Sequence, residues 1–326
     1  MSLGADFSGL MDRNCPSELP DGYREVANRY QNEESEAWIG EWMESRKIRD
    51  QLVIATKFTS DYKAYEVGKG RSANFGGNNR RSLHVSVRDS LKKLKTDWID
   101  ILYVHWWDHM TSIEELMDSL HVLVQQGKVL YLGASDTPAW VVSAANYYAV
   151  SHGKTPFSVY QGRWNVMLRD FEREILPMAR HFGMALVPWD VLGGGRFQTK
   201  ESIEKRKDRG EKLRSFVQPP EQTEQEVKIS SALEKVAKEH GTHSITAIVL
   251  AYVRSKGTNV FPLVGGRKVE HLKDNIAALS IKLAPEQVSH LESVVPFDIV
   301  YPVFCLQFIS LEKSSLSCWL FVYAEL

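Results

Sequence analysis

Four residues with complementary chemistry stand at or just beyond the ends of short apolar runs: the carboxylate of Glu25, the phenol of Tyr30, the ammonium of Lys57 and the imidazole of His105. Lys57 ends VIATK, His105 ends ILYVH, Glu25 lies within YREVAN (23–28), and Tyr30 follows that run. A phenol is a weak acid at its ordinary pKa of about 10, but a neighbouring ammonium stabilises the phenolate, and Lys57 would supply that field. A carboxylate would make a buried ammonium tolerable, and an imidazole would hydrogen-bond a substrate carbonyl. Together the four can run hydride transfer coupled to proton transfer. Gln161, which ends FSVYQ, and Trp189, which ends ALVPW, occupy equivalent strand-end positions.

Such residues act together only if the chain gathers its strand ends in one place. The runs QLVIATK (51–57), WIDILYVHW (98–106), VLYLGAS (129–135), FSVYQ (157–161), ALVPW (185–189) and VFPLVGG (260–266) are β-rich and of strand length. Between them EESEAWIGEWMESRK (33–47), RSLHVSVRDSLKKL (81–94), SIEELMDSLHVLVQQG (112–127) and PAWVVSAANYYAVSHG (138–153) carry helical spacing. Ser112 with Glu115 forms a capping-box pattern, Gly127 sits where a C-cap glycine belongs, and Pro138 after Thr137 reads as a first-turn proline. This alternation predicts an α/β fold with a parallel sheet buried on both faces, either doubly wound or closed into a (β/α)8 TIM barrel. A doubly wound dinucleotide domain should carry G-x-G-x-x-G after an early strand. The cluster at 193–195 instead follows the fifth clear run, which favours the barrel. In a barrel the active face is built from the C-terminal ends of the strands and the loops beyond them.

Composition narrows the partners. Of 326 residues, 43% are hydrophobic and 25% charged, and 40 basic against 41 acidic side chains leave a net charge of -1. That balance carries no footprint for nucleic acid or an anionic membrane, so a small-molecule substrate is expected. Three scattered cysteines, Cys15, Cys305 and Cys318, suggest neither a disulfide framework nor a zinc site and fit a reducing, cytoplasmic setting. The start MSLGADFSGLMDRN has no leader-like apolar run. Glu312 and Lys313 cut the apolar stretch 303–326 too short for a membrane span.

Two regions fit the alternation poorly. Residues 1–22 show no strand or helix period where a barrel needs its first strand and helix, and 301–326 have no period either. The expected organisation is an atypical N-terminal segment (1–22), a barrel domain (23–300) incomplete at its first β/α unit, and an atypical tail (301–326). The charged stretch from Arg196 to Gln222, ending in Pro219-Pro220, reads as a loop placed where barrel enzymes carry lids.

The motifs ANRYQNEESEAWIGEWM, VIATKF, DWIDILYVHWWD, GKVLYLGASDTPAW, FSVYQGRWNV, PWDVLGGGRF and VFPLVGGRKVEHLKDNI occur in one order over roughly residues 25–300. With them the chain resembles an aldo-keto reductase of the fungal aryl-alcohol dehydrogenase and norsolorinic acid reductase group. The resemblance implies catalytic roles for Tyr30, Lys57, His105 and Glu25, with glutamate standing where the family uses aspartate. It implies nicotinamide contacts at Ser135, Asp136 and Gln161, with Asp136 in place of the usual asparagine, and stacking by Trp189, more often a tyrosine. Asp190, Leu192 and Gly194 match the pyrophosphate segment, and Gly266, Arg267, Lys268, His271, Asp274 and Asn275 the adenosine end. Arg267 and Lys268 can pair with a 2′-phosphate, which favours NADPH/NADP over NADH/NAD. The activity implied is NADPH-dependent reduction of an aromatic aldehyde or ketone, reversible as aryl-alcohol oxidation.

Other readings stand beside these. His105 and His109 form an H-x3-H pair around Asp108, but His105 ends a strand and the pair spans a turn, so no metal site is expected. Trp106, Trp107 and Trp164 fit either a core or a wall for a flat substrate. The departures at Glu25 and Asp136 leave room for a non-catalytic NADP-binding regulatory protein, like the potassium-channel β-subunits of the family, or for a degraded paralogue.

Overall fold

The computed structural model describes residues 22–68, 72–208, 221–265 and 269–298. The expected N-terminal segment before Gly22, the tail and positions 209–220 therefore lie outside the described residues, and the part of the expected charged loop that is described is helical over Lys200–Asp208. Strands β1 (Gly22–Glu25), β2 (Leu52–Phe58), β3 (Ile99–Val104), β4 (Val129–Ser135), β5 (Phe157–Gln161) and β6 (Ala185–Leu186) form one sheet in sequence order, every neighbour parallel. The helices are α1 (Glu34–Arg46), α2 (Ala64–Val67), α3 (Arg80–Leu94), α4 (Ile113–Gln125), α5 (Ala139–Ser151), α6 (Ile175–Phe182), α7 (Lys200–Asp208), α8 (Glu224–Glu239), α9 (Ile245–Ser255), α10 (Val269–Ala277) and α11 (Pro285–Val294).

Past β6 the ladder continues without regular strand pairing. Leu186 N–H donates to Asn259 O (2.8 Å), Phe261 N–H to Leu186 O (2.8 Å) and Leu263 N–H to Pro188 O (2.9 Å). The runs expected at 185–189 and 260–266 are thus shorter as strands than the sequence suggests, because Pro188 and Pro262 have no N–H for a ladder. Likewise β1 stops at Glu25, although Asn28 N–H still reaches Lys57 O (3.1 Å).

The sheet is strongly curled. In a flat sheet β1 and β5, four strands apart, would be separated by roughly 19 Å at about 4.8 Å per strand. Here the side chain of Gln161 in β5 donates to that of Glu25 in β1 over 2.6 Å. This is the wall of a (β/α)8 barrel, open between β1 and the 259–263 run among the described residues.

Period-two alternation sorts the side chains. One set packs outward against the helices, for example Ile54, Phe58, Leu102 and Leu132. The other fills the barrel interior with a small cluster of Ala55, Tyr103, Val159 and Val187. Lys57, Ser135 and Gln161 share the inward parity with this second set, one or two steps nearer the C-terminal mouth. Gly133 makes the interior fit: a Cβ there would lie 2.4 Å from the Tyr103 ring. Gly133→Val is expected to destabilise the fold by about 1–3 kcal/mol, read as a lowered denaturation midpoint, and an unchanged midpoint would show that Tyr103 does not lie against this strand.

Helix ends largely follow the sequence signals, with two corrections. Ser112 caps α4 by accepting from Glu115 N–H, but the Glu115 carboxylate accepts from Arg80 N–H (3.0 Å) instead of closing the box. Pro138 is the N-cap of α5, with an extended ψ of 140°, and Ala139 is the first helical residue. No helix among the described residues is long and apolar enough to cross a membrane.

Candidate active site at the barrel mouth

Lys57 is buried to 1% exposure, so its ammonium needs compensation. It is ion-paired to the Glu25 carboxylate and donates to Val26 O at 3.3 Å and to the Tyr30 hydroxyl at 3.4 Å. Burial alone would lower the lysine, but the Glu25 carboxylate and the Tyr30 phenol outweigh it and hold Lys57 above its ordinary value. The ammonium also lies 5.0 Å from the Tyr30 ring centroid.

Tyr30 is delivered by the loop between β1 and α1. Its N–H donates to Ala27 O (3.1 Å), and the next three residues, Gln31, Asn32 and Glu33, all adopt left-handed φ values of 51°, 53° and 79°. Three successive non-glycine residues in that region are strained, and neighbouring contacts must hold them. Glu33 supplies these contacts, pairing with Lys63 at 3.0 Å and Lys93 at 3.1 Å.

His105 follows β3 on the same inward parity. Its ring meets Tyr30 edge-on at 5.8 Å, and its Nδ1 lies 3.3 Å from Ser60 Oγ. Burial first, then the positive charges of Lys57 and Arg29, push His105 down to about 3. The imidazole is therefore neutral at physiological pH and can donate to or accept from a carbonyl-bearing ligand. An unfolded histidine titrates near 6.5, so between that value and about 3 the unfolded chain binds the extra proton, and the stability this residue contributes is lost as pH falls through that window. His105→Gln is expected to flatten the decline of the melting temperature between about pH 6.5 and 4. An unaltered decline would exclude His105 as its source.

Beside this group lie the residues matched to the nicotinamide. Ser135 and Gln161 are partners across β4 and β5 and are 1% and 3% exposed. Asp136, in the left-handed region at φ 40°, donates its N–H to Gln161 O (3.0 Å). Asp136 is exposed as a residue, but burial around its carboxyl pushes that group up to about 6, against the Trp189 N–H and the charges of Lys57 and Arg163. Trp189 Nε1 donates to Asp136 Oδ1 (3.2 Å), so two of the three positions that the sequence marks as unusual contact each other. Arg163, absent from the sequence reading, pairs with Asp190 at 2.6 Å and lies 5.7 Å from the Trp189 ring. Leu192 is partly buried against the core, and the turn beyond it runs through Gly193, Gly194 and Gly195 at φ 57°, 63° and 81°, a course that glycine follows without strain.

The remaining candidates divide. His271, Asp274 and Asn275 lie on α10, Asn275 buried and the other two exposed, while Gly266, Arg267 and Lys268 lie outside the described residues. Trp164 is fully buried and stacked on Phe171 at 4.8 Å, and Trp107 is buried too, which places both in the core. Trp106 is 39% exposed and 5.3 Å from the His105 ring, at the rim of the mouth. Asp108 accepts from the N–H groups of Asn78 (2.7 Å), Met110 (2.9 Å) and Thr111 (3.0 Å), so it fixes the loop after His105. No cluster of three metal-ligating side chains occurs among the described residues.

Sequence reasoning also missed the Gln161–Glu25 contact, although both residues share the inward parity. The signal was the extra methylene of Glu25, which lengthens its reach across the barrel.

Comparison with known proteins bears on the family of the chain. A family model described as the aldo/keto reductase family matches residues 23–296. The chain is 71% identical over 301 residues to "Probable aryl-alcohol dehydrogenase AAD4" of Saccharomyces cerevisiae, covering 90% of this chain and 92% of that one. It is 50% identical over 317 residues to the aryl-alcohol dehydrogenase [NADP(+)] of Phanerodontia chrysosporium, covering 93% and 82%. With norsolorinic acid reductase B of Dothistroma septosporum it shares 51% over 280 residues, covering 85% and 69%. A crystal structure of the thermostable aldo-keto reductase Tm1743 with the inhibitor epalrestat superposes with a TM-score of 0.62 at 26% identity, covering 83% of this chain and 81% of that one.

Proposed function

Because the chain belongs to the aldo/keto reductase family, we propose that it reduces an aromatic aldehyde or ketone to the alcohol with NADPH, and that Tyr30 is the proton donor. The observation that carries this reading is the convergence of Tyr30, Lys57, Glu25 and His105 beside Ser135, Gln161 and Trp189 at one end of the barrel. A relative named as an NADP(+)-dependent aryl-alcohol dehydrogenase supports both the cofactor and the substrate class.

The residues present suit the cofactor. Ser135, Asp136 and Gln161 offer polar atoms to a carboxamide, Trp189 offers a flat face, and Asp190, Leu192 and Gly194 offer a turn for the pyrophosphate. Gly266, Arg267, Lys268, His271, Asp274 and Asn275 would take the adenosine 2′-phosphate end. The reduced nicotinamide, when bound, supplies the hydride. Tyr30 gives its hydroxyl proton to the carbonyl oxygen, and Lys57 stabilises the phenolate left behind. Glu25 keeps Lys57 in place, and neutral His105 orients the carbonyl. Trp106 at the rim would flank a flat ring. The balanced charge and scattered cysteines support a small-molecule partner and a cytoplasmic location, with 23–300 as one domain.

The test is a titration of the full chain with NADPH and with NADH, followed by quenching of tryptophan fluorescence at Trp189. Saturable quenching, tighter for NADPH, is expected. Affinity is expected to rise as pH falls through about 6, because protonated Asp136 can donate to the carboxamide oxygen whereas its carboxylate can only accept. Asp136→Asn should remove that part of the pH dependence. No quenching by either nucleotide in a folded chain would overturn the reading, and binding without reduction of any aromatic carbonyl would favour a regulatory NADP-binding protein.

A further inference from the structure

Glu25 has two carboxylate oxygens and uses them on different parts of the site. Oε1 takes the Lys57 ammonium from the adjacent strand, and Oε2 accepts from Gln161 Nε2 at 2.6 Å from across the barrel. Neither partner has ready access to water, since Lys57 and Gln161 are 1% and 3% exposed. We infer that Glu25 is a positioning residue that ties Lys57, the cation beside the proton donor Tyr30, to Gln161, fixing the Gln161 amide with its nitrogen turned toward Glu25 and its oxygen as the end available to a ligand.

This inference rests on the cofactor reading above and deepens it. An aspartate at this position would be shorter by one carbon–carbon bond of about 1.5 Å. If it kept the lysine, the contact to Gln161 would open from 2.6 Å to about 4 Å, beyond hydrogen-bonding range. Glutamate is therefore what allows the bridge. Its consequence is chemical: with Nε2 committed to Glu25, Gln161 meets a carboxamide as an acceptor, and the Asp136 carboxylate is an acceptor too. Ser135 is then the side chain of the three that can donate to the carboxamide oxygen. Occupancy of the nicotinamide pocket and the placement of Lys57 share one carboxylate.

The experiment uses the full chain unaltered, as Glu25→Asp, as Gln161→Ala and as the double variant. In the absence of NADPH, the side-chain amide resonances of Gln161 in a nitrogen–proton correlation spectrum are expected to be shifted downfield and slow to exchange, and to lose both features in Glu25→Asp. With NADPH, the factor by which Gln161→Ala weakens binding is expected to differ about 3–10-fold between the unaltered chain and the Glu25→Asp background, the size of one redirected hydrogen bond. Equal factors in both backgrounds, or amide resonances indifferent to Glu25→Asp, would overturn the bridge. Failure of the unaltered chain to bind NADPH would overturn the cofactor reading instead, and the amide resonances measured without cofactor would still decide the bridge.

Discussion

Tyr30→Phe is expected to slow carbonyl reduction by about 10²–10⁴-fold while leaving NADPH binding essentially unchanged. The hydroxyl is the one group of Tyr30 that the substitution removes, and in the structure it faces the Lys57 ammonium at 3.4 Å. The ring stays, so its edge contact with His105 and the loop around it should survive. Steady-state rates with NADPH and an aromatic aldehyde, set beside a nucleotide titration of the same variant, separate the two effects. A variant retaining near-full rate would remove Tyr30 as the proton donor.

Lys57→Met is the second large effect, on stability as well as rate. The substitution preserves most of the apolar stem but leaves the Glu25 carboxylate, itself 3% exposed, without its cation. Breaking a buried pair from one side typically costs about 3–5 kcal/mol, which urea denaturation of the full chain would show as a lowered midpoint. Lys57→Met combined with Glu25→Gln should recover much of that stability, because no uncompensated charge remains. Neither variant should recover activity. The pH sign also follows: the pKa of Lys57 is raised on folding, so its contribution is fully present below 10.5 and is lost only as pH rises through the higher folded value. Stability measured between about pH 6 and 9 should therefore carry no Lys57 titration. A double variant no more stable than Lys57→Met would show that packing, not charge, accounts for the loss.

Much of the barrel was legible in the chain because strand runs and helical runs have different periods. QLVIATK places Ala55 and Lys57 on one face, and the same alternation assigns Tyr103, Val159 and Gln161 to the interior. Strand ends then locate the mouth. What the pattern could not supply was curvature, and hence which strand ends touch: Glu25 and Gln161 are 136 positions apart and meet only because the sheet curls. Nor does any local signal announce the left-handed course of Gln31, Asn32 and Glu33, which non-glycine residues rarely follow and which here depends on Lys63 and Lys93 arriving from elsewhere. Trp107 and Trp164 could not be separated from Trp106 by sequence, since burial depends on what packs above each strand end. Asp108 was legible only as part of an H-x3-H pattern, whereas its carboxylate serves a run of backbone N–H groups, a habit of aspartate in turns.

The most direct measurement follows deuterium from C4-deuterated NADPH, each epimer in turn, into an aromatic aldehyde such as benzaldehyde. The unaltered chain should place deuterium on the benzylic carbon of the alcohol in step with NADPH oxidation, and Tyr30→Phe should bind the same nucleotide and form almost no product. Bound NADPH that transfers no deuterium to any aromatic aldehyde or ketone, or transfer undiminished in Tyr30→Phe, would contradict the assignment of this mouth as a proton-coupled carbonyl reduction site.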